Sequence, residues 1–236
     1  MGRSVVLAGA PRCPRCSLPP RWCVCDALPP VETRLHFHVL IHRHEHAKPS
    51  STGRLVARVV QGALCHVYQR ATRFHPAAGF PAEAVAAEAE VWILHPSGAP
   101  LPDRVPPDDP PPHIVLLDGT WRQAGEMLRA CEGLGRCVRL PDATAEPSRY
   151  WLRDQPAPGQ LATAEAALGV LRATGDGAAE AALRLHFEMH VCAMLLARGR
   201  REMAERYLGD SPLLAVAPQI VDRLLSGRGR GSVACN

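Results

Sequence analysis

The sequence predicts an α/β fold with a mostly parallel sheet flanked by helices, and three observations support this prediction. An unbroken apolar run at 114–117 is typical of a strand buried on both faces of a parallel sheet. Apolar residues alternate over 33–41, as in a second strand. Helical periodicity is found at 53–63 and 121–131. Strands that alternate with helices favour parallel pairing, because each crossover returns the chain to the same end of the sheet.

Further segments continue this alternation of strands and helices. Eight prolines between 96 and 112 predict an irregular surface loop. Ser51 or Thr52 is the expected N-cap of one helix, and Thr163 that of another. The remaining predicted elements are short strands at 65–69, 91–94 and 137–140 and helices at 163–173 and 177–198.

Composition predicts three segments in a chain of 236 residues. Residues 1–30 are rich in Cys, Pro and Arg and lack apolar periodicity, so they need a metal or another cross-link to fold. Residues 31–225 carry the α/β pattern, and a chain that is 47% apolar can bury one sizeable core. The Gly-, Arg- and Ser-rich residues 226–236 predict a disordered tail.

Charge is unevenly distributed along the chain. The net charge is only +4, but residues 1–75 contain eleven Lys or Arg against three acidic residues. Such a basic segment attracts a nucleic-acid backbone, although a solvated face in an arginine-rich protein gives the same composition. No run of about 20 apolar residues predicts a membrane span, and no apolar stripe favours an oligomer. We therefore expect a cytoplasmic protein, with a monomer preferred.

Four of the nine cysteines lie within thirteen residues, at Cys13, Cys16, Cys23 and Cys25. Tetrahedral zinc takes four thiolates, and paired short spacings let one loop supply them. A redox dithiol and an iron–sulfur cluster are the alternatives, although a redox pair needs only two cysteines and usually opens a helix. A closed four-thiolate site predicts structural zinc. Arginines at 12, 15 and 21 make this knuckle a candidate RNA contact.

Asp118-Gly119-Thr120-Trp121 follows the buried apolar run and opens a predicted helix. Ligands of open parallel sheets bind outside the carboxyl ends of the strands, which favours a site here and at 94–98. Asp118 is positioned for binding or for acid–base work, or it caps the helix. Trp121 packs in the core or stacks on a base or an adenine ring.

A polar segment at 42–54 combines histidines with a Ser-Ser-Thr-Gly-Arg sequence that leads into a helix. Hydroxyl and amide donors at a helix N-terminus predict an anion site. Five histidines between 36 and 46 also allow a metal site, but alternation places His36 and His38 on one face of a strand. Near 163, Glu165 in the first turn suits the helix dipole.

In this order, the motifs resemble the DTW-domain family, which is similar to aminocarboxypropyltransferases with a SPOUT-like, knotted α/β fold. The chain departs from the family pattern at Arg43, where a proline usually follows the first loop histidine. The matching pieces are the four-cysteine knuckle, the segment His42…Glu45…Thr52-Gly53-Arg54, the turn His95-Pro96-Ser97, the Asp118–Trp121 sequence and the helix start at Thr163 and Glu165.

The resemblance implies that S-adenosylmethionine donates a 3-amino-3-carboxypropyl group to N3 of a uridine in tRNA, with zinc as a structural metal. Asp118 is then the candidate catalytic base, and Cys13, Cys16, Cys23 and Cys25 are the zinc ligands. The expected donor-binding residues are Leu94, His95, Pro96, Ser97, Leu116, Leu117, Thr120, Trp121 and Thr163. The expected substrate-binding residues are Thr52, Arg54 and Arg153.

Three other functions remain open from the sequence. The first is an S-adenosylmethionine-dependent RNA methyltransferase of the same broad fold, which product mass would distinguish. The second is a non-catalytic zinc-knuckle protein that binds tRNA without a saturable donor site. The third is a metal-regulated protein that uses the histidines, for which His44 and His46 would be essential.

Overall fold

The computed structural model describes residues 10–70, 89–102, 105, 109–141, 147–153 and 160–227. The strands are β1 (His36–His42), β2 (Leu64–Tyr68), β3 (Val91–Pro100), β4 (His113–Asp118) and β5 (Arg136–Arg139). A 3-10 turn covers Pro20–Trp22, and the α-helices are α1 (Arg43–His46), α2 (Thr52–Val59), α3 (Trp121–Ala130), α4 (Thr163–Ala173), α5 (Gly177–Ala197), α6 (Arg201–Gly209), α7 (Leu213–Val216) and α8 (Pro218–Ser226). The predicted α/β class is confirmed.

The five strands form one parallel sheet in the order β2-β1-β4-β3-β5. Ile41 of β1 lies opposite Asp118 of β4, so the carboxyl ends of these central strands are adjacent. From β1 the chain continues to β2 on one side, whereas from β4 it continues to β5 on the other. The strand order therefore reverses between β1 and β4. Open parallel sheets bind their ligands at such a reversal, which is called the switch point of the sheet.

Helices cover both faces of the sheet. Met127 of α3 packs against Leu40, Ile93 and Val115 in the core on one face. Because side chains alternate along a strand, Asp118 points to the opposite face from Val115. The helices α2 and α4 contact β4 and each other. Asp118 therefore points toward the α2 and α4 side.

Helix α2 ends at Val59, earlier than the predicted end at residue 63. Val31 donates its N–H to the Val59 carbonyl at 2.8 Å and accepts from Gln61 at 2.9 Å. Val60 therefore adopts an extended conformation and pairs with Val31 in an isolated parallel bridge. A β-branched residue has a low helix propensity, and the bridge uses backbone groups that a further helical turn would need.

Strand β3 continues beyond the predicted end at residue 94 and reaches Pro100. Its pairing with β5 is interrupted between Leu94 and Ala99 and then resumes, with Ala99 opposite Val138. Pro96 has no N–H to donate, so it falls within the irregularity rather than in the regular ladder. The prediction of a loop from residue 96 is therefore wrong at its start. Residues 103–104 and 106–108 of that loop lie outside the described residues.

The chain divides into two compact units. The knuckle unit contains residues 1–29, 149–156 and 184–236, and the sheet unit contains residues 30–148 and 157–183. Ser226 is the last residue of α8, and Gly227 ends the helix with a φ of 61°. The rest of the predicted tail, 228–236, lies outside the described residues. Among the described helices, none has the length and apolar character needed to cross a membrane.

Candidate active site

The Asp118 carboxylate lies at the carboxyl end of β4 and is only 7% exposed. Ser51 donates its hydroxyl to Oδ2 at 2.8 Å, and Thr163 donates its hydroxyl to Oδ1. The backbone of Gly53 provides a further hydrogen bond to the carboxylate. Asp118 therefore accepts hydrogen bonds from three residues in two segments, both distant from it in sequence.

The N-termini of α2 and α4 both meet at Asp118. Ser51 is the N-cap of α2, where its Oγ accepts from the Arg54 N–H at 3.1 Å while it donates to Asp118. The Oγ1 of Thr52 accepts from the Ala164 N–H of α4 at 3.3 Å. The anion site predicted from the sequence at 51–54 thus holds a carboxylate of the chain itself. Both helix dipoles favour the charged form of that carboxylate.

Gly53 permits the close approach between α2 and β4. A Cβ built on Gly53 would lie 2.6 Å from Cγ of Asp118 and 2.8 Å from its Cβ. These atoms belong to a short, buried side chain that cannot swing away. Any larger residue at position 53 would displace the carboxylate or the helix.

The pKa of Asp118 is raised from its ordinary value, chiefly because burial penalises the charged form. Hydrogen bonds from Thr163, Ser51 and Gly53 act in the opposite direction, and the negative charge of Glu45 raises the pKa further. The carboxylate therefore has a higher affinity for a proton than an exposed aspartate has. A group of this kind suits proton transfer.

Thr120, and not Asp118, caps helix α3. The Thr120 Oγ1 accepts from the Gln123 N–H, and the Gln123 side chain accepts from the Thr120 N–H at 2.8 Å. This reciprocal capping box leaves Asp118 with no capping role. Trp121, the first residue of α3, is 52% exposed. An indole this exposed at the end of β4 is accessible to a flat ligand.

Leu94 is the last residue of β3 that pairs with β4, and it lies opposite Leu116 near the carboxyl end of β4. Beyond this pair, the Nδ1 of His95 accepts from the Ser97 N–H at 3.2 Å and lies 2.8 Å from the Ser97 hydroxyl. Burial lowers the pKa of His95. Leu116 is fully buried, Leu117 is half-buried, and Pro96 is exposed. The expected donor-binding stretches 94–97 and 116–121 are thus adjacent at the point where β3 stops pairing with β4.

The other residues that the sequence predicted for the site lie at the start of α4, in the first turn of α2 and in the knuckle unit. Ala162, rather than Thr163, is the N-cap of α4, because the Thr163 hydroxyl is directed to Asp118. Glu165 accepts from the Ala162 N–H at 2.7 Å and completes the first turn. Arg54 is half-buried in the first turn of α2. Arg153 belongs to the knuckle unit, where its guanidinium lies 5.7 Å from the centre of the Tyr150 ring.

The sulfurs of Cys13, Cys16, Cys23 and Cys25 all lie within 4.8 Å of one another. The Sγ atoms of Cys13 and Cys25 are 3.6 Å apart, and those of Cys16 and Cys23 are 3.8 Å apart. Bonds of about 2.3 Å to a tetrahedral ion place sulfurs about 3.8 Å apart. The four thiolates therefore fit zinc. In the described part of the chain, no other group of His, Cys, Asp or Glu has this arrangement.

The histidines form a hydrogen-bonded row instead of a metal site. His38 contacts the Nε2 of His66 at 3.2 Å through Nδ1 and the Nδ1 of His113 at 2.8 Å through Nε2. His36 stacks on His113 with ring centres 4.8 Å apart. Three neighbouring strands supply these rings. The prediction that His36 and His38 share one face is confirmed.

Ser51 and Gly53 lie in the anion site that the sequence predicted at the start of a helix, because small residues and hydroxyl and amide donors there allow an anion to approach closely. The sequence did not, however, assign either residue as a partner of Asp118. What the sequence lacks is any indication that the anion would be Asp118.

The family model of the DTW domain matches residues 10–195, which include the cysteine cluster, Asp118 and Thr163. The chain belongs to the DTW-domain family. This DTW-domain chain is 30% identical over 164 residues to tRNA-uridine aminocarboxypropyltransferase 2 of Mus musculus, across 66% of the chain and 54% of the relative. It is 26% identical over 159 residues to the protein of the same name from Drosophila melanogaster, across 66% of the chain and 63% of the relative.

The DTW-domain chain spans about half the length of the mammalian relatives that it matches, since the protein of the same name from Macaca fascicularis is likewise covered over 54%. No solved structure matches the chain.

Proposed function

We propose that the chain is a tRNA-uridine aminocarboxypropyltransferase that moves the 3-amino-3-carboxypropyl group of S-adenosylmethionine to N3 of a uridine. The observation that carries this proposal is the name shared by the curated relatives of this DTW-domain chain. The buried Asp118 at the switch point of the sheet supports it, because both ligand binding and proton transfer are expected there.

In the proposed reaction the sulfonium of the donor makes the neighbouring carbon electrophilic. Uridine N3 forms the new bond to that carbon, the carbon–sulfur bond breaks, and the sulfur keeps its electron pair, so methylthioadenosine leaves. The N3 proton must also leave, because N3 of uridine is protonated at neutral pH and is then a poor nucleophile. The chain therefore needs a proton acceptor at the site.

Asp118 is the proposed acceptor of that proton, reached through the hydroxyl of Thr163. The carboxylate itself is buried, whereas Thr163 is half-buried and donates to it directly. A uridine N3–H that donates to the Thr163 oxygen would pass its proton along this hydrogen bond. The raised pKa of Asp118 favours acceptance of the proton.

The adjacent stretches where β3 stops pairing with β4 are the proposed donor pocket, with Leu94–Ser97 within β3 and Leu116–Trp121 at and after the end of β4. Trp121 stacks on a flat ring, either adenine or a base. Arg54 of the sheet unit and Arg153 of the knuckle unit are each proposed to hold a carboxylate or an RNA phosphate. Both the methyl and the aminocarboxypropyl carbons of the donor are electrophilic. The pocket must therefore select the reacting carbon by alignment.

The four cysteines are the proposed ligands of a structural zinc ion. Four protein ligands close the coordination sphere, so the metal folds the knuckle and takes no part in transfer. The eight described cysteines form no disulfide, which suits the reducing cytoplasm that we propose as the location. A SPOUT-like knot and a monomeric state stay predictions from the resemblance and the composition.

Nucleoside mass spectrometry tests the proposed reaction. Unmodified tRNA is incubated with the full chain and S-adenosylmethionine, digested and analysed, and methylthioadenosine is measured in parallel. Aminocarboxypropyl-uridine together with methylthioadenosine is expected. A gain of only a methyl group would indicate the methyltransferase alternative, and no gain despite tRNA binding would indicate a binding module.

Asp118→Asn tests the role of the carboxylate. This change keeps the shape of the side chain but removes its negative charge, so turnover should fall at least about a hundredfold if proton acceptance contributes as general bases do. Calorimetry should show donor binding close to that of the unchanged chain. The control is Asp222→Asn on the exposed side of α8. Full turnover by the Asp118→Asn chain would contradict the role.

A further inference from the structure

Positive charge is concentrated in the knuckle unit. Its described residues include eleven arginines and six acidic residues, whereas those of the sheet unit include eleven basic and ten acidic residues. The excess remains positive even when a zinc ion with four thiolates contributes a charge of about −2. The part of the chain that holds the four cysteines is therefore also the part that attracts a polyanion.

Three arginines are held against the knuckle, and we call Arg12, Arg21 and Arg223 the knuckle arginines. Arg12 donates from Nη1 to the Ser17 carbonyl at 3.1 Å, across the loop between the cysteines. The Arg21 guanidinium lies 3.7 Å above the centre of the buried Trp22 ring. Arg223 of α8 reaches the Cys23 carbonyl at 3.5 Å. Each guanidinium is positioned before any ligand arrives.

The two exposed knuckle arginines make no ion pair within the described ranges of the chain. Arg12 and Arg21 have no carboxylate partner among the residues that the structure describes, although both are exposed. Other arginines of the unit are neutralised, since Arg15 pairs with Asp26 and Arg149 with the buried Glu188. A planar guanidinium that is already stacked on an indole keeps its N–H groups for phosphate oxygens.

We propose that the knuckle arginines form the surface that binds the phosphate backbone of tRNA. This inference rests on the proposed function for the identity of the RNA. It assigns RNA capture to the zinc-knuckle unit, whereas the chemistry belongs to the switch point of the sheet unit. Arginines that hydrogen bonds and ring stacking already position bind phosphate with little loss of side-chain entropy.

The salt dependence of tRNA binding tests this assignment. Fluorescence anisotropy with labelled, unmodified tRNA gives the dissociation constant at several salt concentrations for the zinc-loaded full chain and for Arg12→Ala/Arg21→Ala. Loss of two phosphate contacts should reduce the slope of log affinity against log salt by about 1.4 to 1.8. The matched control is Arg70→Ala/Arg129→Ala, which removes two exposed arginines of the sheet unit.

The expected result is a smaller slope for Arg12→Ala/Arg21→Ala only, with zinc content and donor binding unchanged. The slope should recover in Arg12→Lys/Arg21→Lys, because lysine retains the positive charge.

Equal slopes in both alanine variants would overturn the assignment. Zinc loss without recovery by lysine would also overturn it, because the arginines would then serve the metal centre. Displacement of tRNA by polyglutamate at equal charge would point instead to an acidic protein. If unmodified tRNA binds through these arginines but the chain does not modify it, only the proposed reaction is contradicted.

Discussion

Thr163 donates its hydroxyl to the buried carboxylate of Asp118, although 45 residues separate the two in sequence. The bond joins the first turn of α4 to the end of β4. Thr163→Val keeps the shape of the side chain and removes the donor. We expect a loss of about 1–3 kcal/mol in the free energy of unfolding and a strong decrease in turnover.

Urea unfolding and nucleoside mass spectrometry measure the two effects of Thr163→Val. Thr163→Ser is the control, because serine retains the hydroxyl and should recover most of the turnover. If the valine and serine chains are equally active, the hydroxyl has no role in the reaction.

Gly53→Ala tests the close contact between α2 and Asp118. The added Cβ would lie 2.6 Å from the carboxylate carbon, so the helix or the carboxylate must move. Overpacking of this kind costs about 1–3 kcal/mol. Gly177→Ala at the start of α5 is the control, since its Cβ would meet nothing within 4 Å. Thermal unfolding of both chains should show a lower midpoint for Gly53→Ala alone.

Cys16→Ser tests the zinc centre. We expect one zinc per chain in the unchanged protein by elemental analysis, and loss of most of it in the variant, because a tetrahedral site lacks one of its four thiolates. Limited proteolysis should then cleave near residues 10–29. Cys137→Ser, outside the cluster, should keep the metal. A zinc content of one in Cys16→Ser would exclude this ligand set.

Stability should decrease at acid pH because of His38. Burial first, and then the charges of His113, His66 and His36, lower its pKa to about 3. An unfolded histidine has a pKa of about 6.5, so the unfolded chain binds the proton first. The stabilisation by neutral His38 is therefore complete above pH 6.5 and is lost as the pH falls toward 3.

The histidines at 66 and 113 act in the same direction, since their pKa values are also lowered by burial. The raised pKa of Asp118 acts in the opposite direction and is common to all the chains compared. Urea unfolding between pH 5 and 8 should show a shallower pH dependence for His38→Gln than for the unchanged chain. His46→Gln, at an exposed position, is the control. Identical pH slopes for all three chains would rule out His38 as the source.

Trp121→Ala should weaken ligand binding without loss of stability. The side chain is 52% exposed, so its removal leaves no cavity in the core. Stacking of a base on an aromatic ring contributes about 1–3 kcal/mol. Calorimetry with the donor and anisotropy with tRNA identify which ligand it contacts, and Trp121→Phe should retain most of the affinity. Unchanged affinity for both ligands would exclude the stacking role.

The sequence by itself determined the local features. The apolar run before Asp118 predicted the central strand β4, and the helix predicted at 163–173 has those bounds in the structure. The spacing of Cys13, Cys16, Cys23 and Cys25 predicted a group that is found together. Such features depend on periodicity and on residues close in sequence, which a single chain displays directly.

Only the tertiary structure decided the order of the strands and the partners of Asp118. Ser51 is 67 residues from Asp118 in sequence, and no pattern marks the two as neighbours. The row of histidines from β1, β2 and β4 likewise depends on which strands are adjacent. Hydrogen bonds between distant side chains follow from the packed fold as a whole. The local conformational preference of a segment does not depend on which distant segment packs against it, so it cannot identify that partner.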